Sequence, residues 1–311
     1  MSSQPSSNST YSNVFIVGST GTVGKHVTKA FLQYHPHAQI KILVRKESEE
    51  KASELRQLGA QIVNGDLTTI APQELDQILH GSDVIVSTVF GDASTIVDGQ
   101  LKLLESAKRV GVKKFLPSSF GVNSNKLEYG DLLPNDNKKK FADELVKSGL
   151  EYVFVNTGLF YSYATLPNFL FEFDKDTNTV KFDGDLNAPL TMTDLEDIGK
   201  FTAEAALRKD IKNRDVDIKG DIKSIREVAT LLYGNDVKFV NGLNVSELKQ
   251  EIDHRIKSGV QPQDFFSLLV LQLRWIFATG KTAPEKYAND ELFPTIQPKS
   301  FVEFAATLPK Q

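Results

Sequence analysis

The first half of the chain alternates short apolar runs with amphipathic stretches, which is typical of strands and helices that build a parallel sheet. Right-handed crossovers between such units favour a doubly wound, Rossmann-type α/β fold with the strand order 3-2-1-4-5-6. Six runs have the length of a strand, at 13–18, 39–45, 61–66, 83–89, 113–119 and 151–157. The stretches between them carry apolar residues at helical spacing, at 23–34, 47–58, 72–79, 100–110 and 138–147.

The regular alternation weakens after residue 157, where the chain becomes rich in aromatic residues. Part of the region beyond, about 190–233, is expected to return to the sheet, because "DVDIKG" has the pattern of one more strand and "SIREVATLLYG" that of its helix. The apolar run 265–277 contains Gln272 and Arg274 and is shorter than the ~20 residues of a membrane span, so it predicts a buried helix. The expected organisation is a disordered tail at 1–12, a dinucleotide-binding domain at 13–157 and a smaller substrate-binding lobe at 158–311.

Three glycines stand in "VGSTGTVG", where the first strand should end and the first helix begin. Glycine permits positive φ and lets backbone N–H groups approach a pyrophosphate, while the N-terminus of a helix adds favourable partial charge. A purely structural glycine turn is the alternative. We predict that this turn holds a dinucleotide through Gly18, Ser19, Thr20, Gly21, Thr22, Val23 and Gly24.

The second strand ends in "LVRKE", at a place where NAD sites usually carry an acidic residue for the ribose 2′-hydroxyl. Arg45 and Lys46 stand there instead. A guanidinium can bind a 2′-phosphate through two hydrogen bonds, whereas a carboxylate would repel it. The site therefore favours NADPH over NADH, unless these two residues are only the solvated start of a loop.

Other strand ends should edge the same site, because ligands of open parallel sheets bind outside the carboxyl ends of the strands. Asp66 follows the third strand and could accept a hydrogen bond from the adenine amino group or cap the segment after it. The ends of the fourth and fifth strands add Ser87, Thr88, Val89, Ser118, Ser119 and Phe120.

The amino-acid composition excludes several classes of function. The net charge of −4 leaves no excess of basic residues for a nucleic acid, and no cysteine is present for a disulfide, a thiol nucleophile or a zinc site. The five histidines include no HExxH pair, so no metal is expected. The serine-rich first dozen residues lack the parts of a secretory signal, and we expect a cytoplasmic protein without a membrane partner. A monomer and a homodimer are both compatible with the sequence.

Several motifs occur in an order that resembles the NmrA-like and isoflavone-reductase-like family of atypical short-chain dehydrogenase/reductases. They are "VGSTGTVG", "LVRK", "NGDL", "FLPSSFG", "DLEDIGKFTAEAAL" and "NDELFP". The resemblance implies a Rossmann domain with a small C-terminal lobe, NADPH as cofactor and an aromatic or phenylpropanoid-like substrate. It also implies a working lysine at the start of the helix before the sixth strand. That lysine falls on Lys138, with Lys139 and Lys140 as neighbouring alternatives.

The chain departs from this resemblance in places. The Tyr-x-x-x-Lys pair of ordinary short-chain reductases is absent, and Ser119 replaces the glutamate of the plant motif "PSEFG". In the family, the loop after the sixth strand shapes the substrate pocket. We therefore expect its aromatic residues to line an apolar pocket with Phe160 near the nicotinamide, although most of these rings fit a core role as well.

These features predict an NADPH-dependent reductase of a small apolar or aromatic carbonyl compound or conjugated alkene. In it, Lys138 hydrogen-bonds the nicotinamide ribose and polarises the acceptor or relays a proton. The alternative is a regulator like NmrA itself, which binds a dinucleotide as a redox signal and controls a protein partner without turnover. The missing Tyr-x-x-x-Lys pair favours the regulator, whereas Lys138 and the aromatic stretch favour the enzyme.

Overall fold

The chain forms two compact units, each built from segments that are separate in sequence. The computed structural model describes residues 10–280 and 283–309. Unit 1 consists of the chain up to Phe120 together with Asn137–Asn156 and Ile198–Val216. Unit 2 consists of Gly121–Asp136, Thr157–Asp197 and the chain from Asp217 onwards.

The strands and helices are numbered here in chain order. The strands are β1 (Asn13–Val17), β2 (Gln39–Val44), β3 (Gln61–Asn64), β4 (Val84–Ser87), β5 (Lys114–Leu116), β6 (Glu151–Asn156), β7 (Leu159–Phe160), β8 (Phe171–Asp174), β9 (Thr179–Phe182), β10 (Leu190–Thr193), β11 (Arg214–Asp217), β12 (Asp221–Lys223) and β13 (Lys238–Asn241). The α-helices are α1 (Thr22–Tyr34), α2 (Ser53–Gln57), α3 (Pro72–Leu79), α4 (Gln100–Val110), α5 (Leu133–Lys147), α6 (Tyr161–Ala164), α7 (Leu195–Leu207), α8 (Ile225–Tyr233), α9 (Val245–Lys257), α10 (Phe265–Ala278), α11 (Asn289–Leu292) and α12 (Phe301–Ala305).

A seven-stranded sheet forms the centre of unit 1, with the order β11-β6-β5-β4-β1-β2-β3. The predicted Rossmann-type fold and strand order are confirmed, and β11 is the additional strand. In β1, Val14 to Val17 are all buried, as expected for a central strand that helices cover on both faces. The register pairs Val17 with Leu43 of β2 on one side and with Ser87 of β4 on the other. The point where the strand order reverses therefore lies at the end of β1.

A buried lysine fastens the returning segment of unit 1. Lys114 in β5 is fully buried, and its ammonium donates to the carbonyls of Arg208 at 2.6 Å and Ile211 at 2.8 Å. These acceptors follow the C-terminal end of α7, where a helix presents partial negative charge. A buried charge is tolerated when such partners surround it.

Three sequence-based boundaries in unit 1 need correction. Residues 10–12 do not belong to a disordered tail as predicted for 1–12, because the Tyr11 N–H donates to the Leu207 carbonyl at 2.8 Å; residues 1–9 lie outside the described residues. The predicted helix 47–58 consists of two 3₁₀ turns followed by α2, since Leu55 is the one large buried apolar side chain of these elements. The helix predicted at 138–147 begins earlier, at Leu133, because Pro134 is compatible with a first helical turn.

Unit 2 holds two small sheets, with the orders β12-β10-β7 and β13-β9-β8. The segment that returns to unit 1 is Ile198–Val216, shorter than the expected 190–233. The difference arises because β12 pairs antiparallel with β10, and α8 buries Ile225 and Val228 in the core of unit 2. The helix "SIREVATLLYG" therefore does not accompany β11 as predicted.

Helix α10 is buried along only part of its length, unlike the prediction for 265–277. Phe265 and Phe266 at its start are 41% and 64% exposed. Gln272 and Arg274 are buried because each has partners: Gln272 Nε2 donates to the Gly130 carbonyl at 3.1 Å, and an Arg274 guanidinium nitrogen lies 2.8 Å from an Asp183 carboxylate oxygen. Among residues 10–280 and 283–309, no helix combines the length and apolar character needed to cross a membrane.

Candidate dinucleotide site

Two of the three glycines after β1 are required by the packing of unit 1 itself. Gly18 has φ +82°, and a Cβ added there would lie 2.8 Å from the Thr88 backbone carbon. A Cβ on Gly24 would collide with the Gly18 carbonyl oxygen. The turn, the start of α1 and Thr88 directly after β4 therefore lie too close together for a side chain at position 18 or 24.

Gly21 differs, because the packing of the chain does not require it. It precedes the first residue of α1 with φ −80° and ψ 174°, values open to any residue, and an added Cβ would meet the Gly18 oxygen at 3.2 Å. Gly21 is exposed. No side chain caps this helix end, and its first turn carries no acidic residue. The N-terminus of α1 therefore presents unsatisfied N–H groups and open space to an anion.

The other predicted residues of the turn do not all face outwards. Ser19 is buried, and its hydroxyl lies 3.5 Å from the Ile16 carbonyl, inside the unit. Thr22 is exposed, and Thr20 and Val23 are half-buried. Backbone groups and the threonine hydroxyls, rather than the Ser19 hydroxyl, are therefore available at the outer surface of the turn.

Arg45 stands at the end of β2 with its side chain 59% exposed. Its Nε lies 3.3 Å from a Glu47 carboxylate oxygen, and an exposed pair of this kind contributes little stability. Lys46 is exposed beside it. The guanidinium is thus held weakly and can exchange Glu47 for a stronger anionic partner.

Asp66 caps its own turn, which is one of the two roles the sequence left open. Its Oδ1 accepts hydrogen bonds from the Thr68 hydroxyl at 2.7 Å and from the Thr68 N–H at 2.8 Å. These bonds hold the pKa of the Asp66 carboxyl below its ordinary value, and the charges of Arg45 and Lys102 lower it further.

Hydroxyl groups fasten the edge where β4 and β5 end. The Thr88 hydroxyl donates to the Val17 carbonyl at 2.8 Å, and the Ser118 hydroxyl donates to the Val89 carbonyl at 2.6 Å. The Ser119 hydroxyl donates to the carbonyl of Val155 in β6 at 3.1 Å. The fully buried Ser87 and the buried Phe120 complete the predicted set at this edge. The hydroxyls of Thr88, Ser118 and Ser119 therefore shape the edge and do not offer their protons to a ligand.

Lys138 is the lysine that α5 brings to this edge. Its Nζ donates to the Phe120 carbonyl at 2.7 Å, and its side chain is partly buried. Burial lowers the pKa of the Lys138 ammonium from 10.5 to about 8. Lys140, two residues later, is exposed. The end of β5 thus carries a cation that can lose its proton near neutral pH.

One residue of this edge carried no sequence signal. Gln100 begins α4 and is buried, and its side-chain oxygen accepts a hydrogen bond from the Ser118 N–H at 3.1 Å. A glutamine within a predicted amphipathic helix is ordinary, so the pattern gave no reason to place it next to the end of β5.

The aromatic stretch of unit 2 divides into buried and partly exposed rings. Phe160 and Tyr163 are partly exposed, and their ring centroids lie 5.2 Å apart in an edge-to-face arrangement. Tyr161 is fully buried, and its hydroxyl donates to the Lys299 carbonyl at 2.8 Å. Burial raises the pKa of this phenol above its ordinary value. Phe169 and Phe171 belong to the core of unit 2. The role of Phe160 near a nicotinamide stays a prediction.

Comparisons with known proteins agree on the family and the fold. The model of the NmrA-like family matches residues 10–259. The chain is 31% identical to the phenylcoumaran benzylic ether reductase of Pinus taeda over 214 residues, which are 62% of this chain and 64% of that protein. The match thus spans less than two thirds of the pine reductase.

Two further similarities cover more of the compared proteins. The chain is 30% identical to an uncharacterized sugar epimerase of Bacillus subtilis over 219 residues, or 67% of this chain and 94% of that protein. Among solved structures, the binary complex of leucoanthocyanidin reductase with NADPH from Vitis vinifera superposes with a TM-score of 0.75 at 25% identity. That superposition covers 95% of this chain and 100% of the grape chain.

Proposed function

Because the chain belongs to the NmrA-like family, we propose that it is an NADPH-dependent reductase of a small apolar or aromatic carbonyl compound or conjugated alkene. One observation carries the proposal. The Lys138 ammonium is held on the Phe120 carbonyl at the end of β5, in the same unit as the open glycine turn. The pine and grape relatives are both reductases by name, and the grape structure contains NADPH, which supports this choice of cofactor.

The residues present in unit 1 fit NADPH. The open surface at Gly21 and the uncapped N-terminus of α1 suit a pyrophosphate. Arg45 and Lys46 at the end of β2 suit a 2′-phosphate, and no acidic residue takes the end of that strand.

NADPH supplies a hydride when it is bound. The chain has to hold the reactants and to handle the negative charge that develops on the acceptor. The Lys138 ammonium can donate a hydrogen bond to an acceptor oxygen and stabilise that charge. Because the pKa of Lys138 is about 8, the same group can also deliver a proton at neutral pH. The Phe120 carbonyl fixes the ammonium. Unit 2, taken by itself, has apolar surface at the partly exposed rings of Phe160 and Tyr163.

Replacing Arg45 with glutamate is expected to weaken NADPH binding at least tenfold, about 1.4 kcal/mol, and to affect NADH much less. The change removes a charge-assisted partner of the 2′-phosphate and adds repulsion. Fluorescence titration with both reduced nucleotides measures the two affinities. Glu47→Gln is the matched control, because it releases Arg45 from its weak ion pair and should leave NADPH affinity equal or higher. An equal loss for NADH and NADPH in the Arg45 variant would refute this role.

The pH dependence of kcat follows from the lowered pKa of Lys138. Half of the ammonium groups lose their proton near pH 8, whereas an ordinary lysine keeps its proton to about pH 10. If the protonated form is the active one, kcat is expected to fall about tenfold between pH 7 and pH 9. Steady-state rates over this range provide the measurement. A kcat that rises through pH 8 would instead identify the neutral amine as the working form.

The proposal as a whole is tested by binding followed by turnover. The protein is titrated with NADPH, NADP, NADH and NAD, and NADPH oxidation is then followed with quinones, enones, aryl aldehydes and a phenylcoumaran. Consumption of NADPH with one acceptor class supports the reductase. Binding without turnover across the panel would favour a regulator that senses the dinucleotide and acts on a protein partner.

A further inference from the structure

Gln100 keeps only 1% of its surface exposed, at the first position of α4. Both ends of its amide are used. Oε1 accepts from the Ser118 N–H at 3.1 Å, and Nε2 donates to the Ile96 carbonyl at 2.6 Å. Burying an amide is unfavourable unless its donor and acceptor are both paired, so this geometry is specific. Gln100 thereby joins the start of α4 to the segment that follows β5.

On the side of β4, backbone pairing does not extend to that segment. The register of β4 with β5 ends at the pair Val86 and Leu116. Beyond this pair, the Ser118 hydroxyl donates to the Val89 carbonyl, and the Gln100 side-chain oxygen accepts a hydrogen bond from the Ser118 N–H. Side chains therefore continue the connection between the two strand ends where backbone pairing has stopped.

The same segment carries the acceptor of Lys138. Phe120 follows Ser118 by two residues, and its carbonyl accepts a hydrogen bond from the Lys138 ammonium. Planar peptide bonds leave two soft dihedrals per residue, so a displacement of the backbone at Ser118 has few rotations in which to be absorbed before Phe120. The Ser119 hydroxyl on the Val155 carbonyl and the Gly121 N–H on the Thr157 hydroxyl hold the residues on either side of Phe120. The position of the Phe120 oxygen therefore depends on the link at Ser118 together with these two bonds.

We propose that Gln100 is a positioning residue, which fixes the Ser118 backbone and thereby the Phe120 carbonyl that orients the Lys138 ammonium. This inference rests on the proposed function, because the orientation of that ammonium matters for a reductase step. The role requires an acceptor and a donor on one side chain of this length. Methionine has a similar size but no donor and only a weak acceptor, whereas glutamate presents a donor to Ile96 only while its carboxyl is protonated.

Gln100→Met is expected to lower kcat about tenfold at pH 7 while the Kd for NADPH stays within about twofold, because the glycine turn is untouched. The matched control is Ser106→Ala. Ser106 is a buried residue of the same helix whose hydroxyl bonds to Asp76, away from the β5 end, and its variant should keep the wild-type kcat. A wild-type kcat and pH profile in Gln100→Met would overturn the proposal.

Gln100→Glu provides a rescue that depends on pH. Burial raises the pKa of a carboxyl, so the variant should approach the wild-type kcat at the acid end of its range and lose activity as the carboxyl ionises. A residue that only fills space would show no such extra dependence on pH. If Gln100→Met does not fold, Gln100→Glu still tests the positioning role. A pH profile of kcat parallel to that of the wild type would count against the role.

A readout without turnover separates this inference from the reductase proposal. In protein labelled with ¹³C-lysine, the signal of Lys138 is assigned by its loss in Lys138→Met and titrated by NMR. It should titrate near pH 8 in the wild type and at a shifted pH in Gln100→Met, because displacement of the Phe120 carbonyl changes both the hydrogen bond to the ammonium and its access to water. An unchanged titration would refute the positioning role even if no acceptor is ever reduced. Absent turnover together with the shift would refute the reductase alone.

Discussion

Replacing Lys138 with methionine is expected to lower kcat about a hundredfold or more, while the affinity for NADPH changes less than about threefold. Methionine keeps most of the stem of the side chain but removes the ammonium that donates to the Phe120 carbonyl. The loss should therefore fall on the step in which negative charge develops and leave the glycine turn and Arg45 as they are. Steady-state kinetics with the best acceptor and a fluorescence titration measure the two quantities.

Two further variants make this test specific. Lys140→Met is the matched control, because Lys140 is exposed on the same helix and should be replaceable without effect on kcat. Lys138→Arg keeps the positive charge but does not release a proton in the accessible pH range. Partial activity without an alkaline decline would identify polarisation as the role, and near-complete loss would identify proton delivery. Undiminished turnover in Lys138→Met would remove Lys138 from the mechanism.

The parts of the fold that the sequence predicted are those that local patterns control. Strand β1 is recognisable because burial on both faces demands a continuous apolar run, and its end is recognisable because Gly18 needs positive φ. The strand order follows from the handedness of crossover connections, which does not depend on individual side chains. The place of Arg45 directly after β2 was predictable because the end of that strand is a defined position relative to the turn.

The parts that it did not predict depend on partners far away in the chain. The Ser119 hydroxyl bonds a carbonyl 36 residues later, and the Ser118 N–H bonds a side chain 18 residues earlier. Periodicity reports which face of an element is apolar, but it does not report which polar group will be paired inside. Gln272 and Arg274 show the same limit, because they interrupt the apolar pattern of α10 and yet are buried with partners.

The three glycines of the turn differ in how much space a side chain would have, although the sequence motif does not distinguish them. Gly24 is required by the protein alone, since an added Cβ would collide with the Gly18 carbonyl. At Gly21 an added Cβ would meet the Gly18 oxygen at 3.2 Å in an ordinary backbone conformation, so a small adjustment suffices. The open side of Gly21 is where a pyrophosphate would approach the N-terminus of α1.

Gly24→Ala is therefore expected to destabilise the fold by about 3 kcal/mol, because the methyl group forces the turn away from the helix. Gly21→Ala is expected to leave the free energy of unfolding within about 1 kcal/mol of the wild type and to weaken NADPH binding at least tenfold. Denaturant unfolding without nucleotide and titration with NADPH measure the two effects independently. Normal NADPH affinity in Gly21→Ala would mean that the turn is purely structural, since a methyl group at that position leaves no room for a phosphate against the backbone.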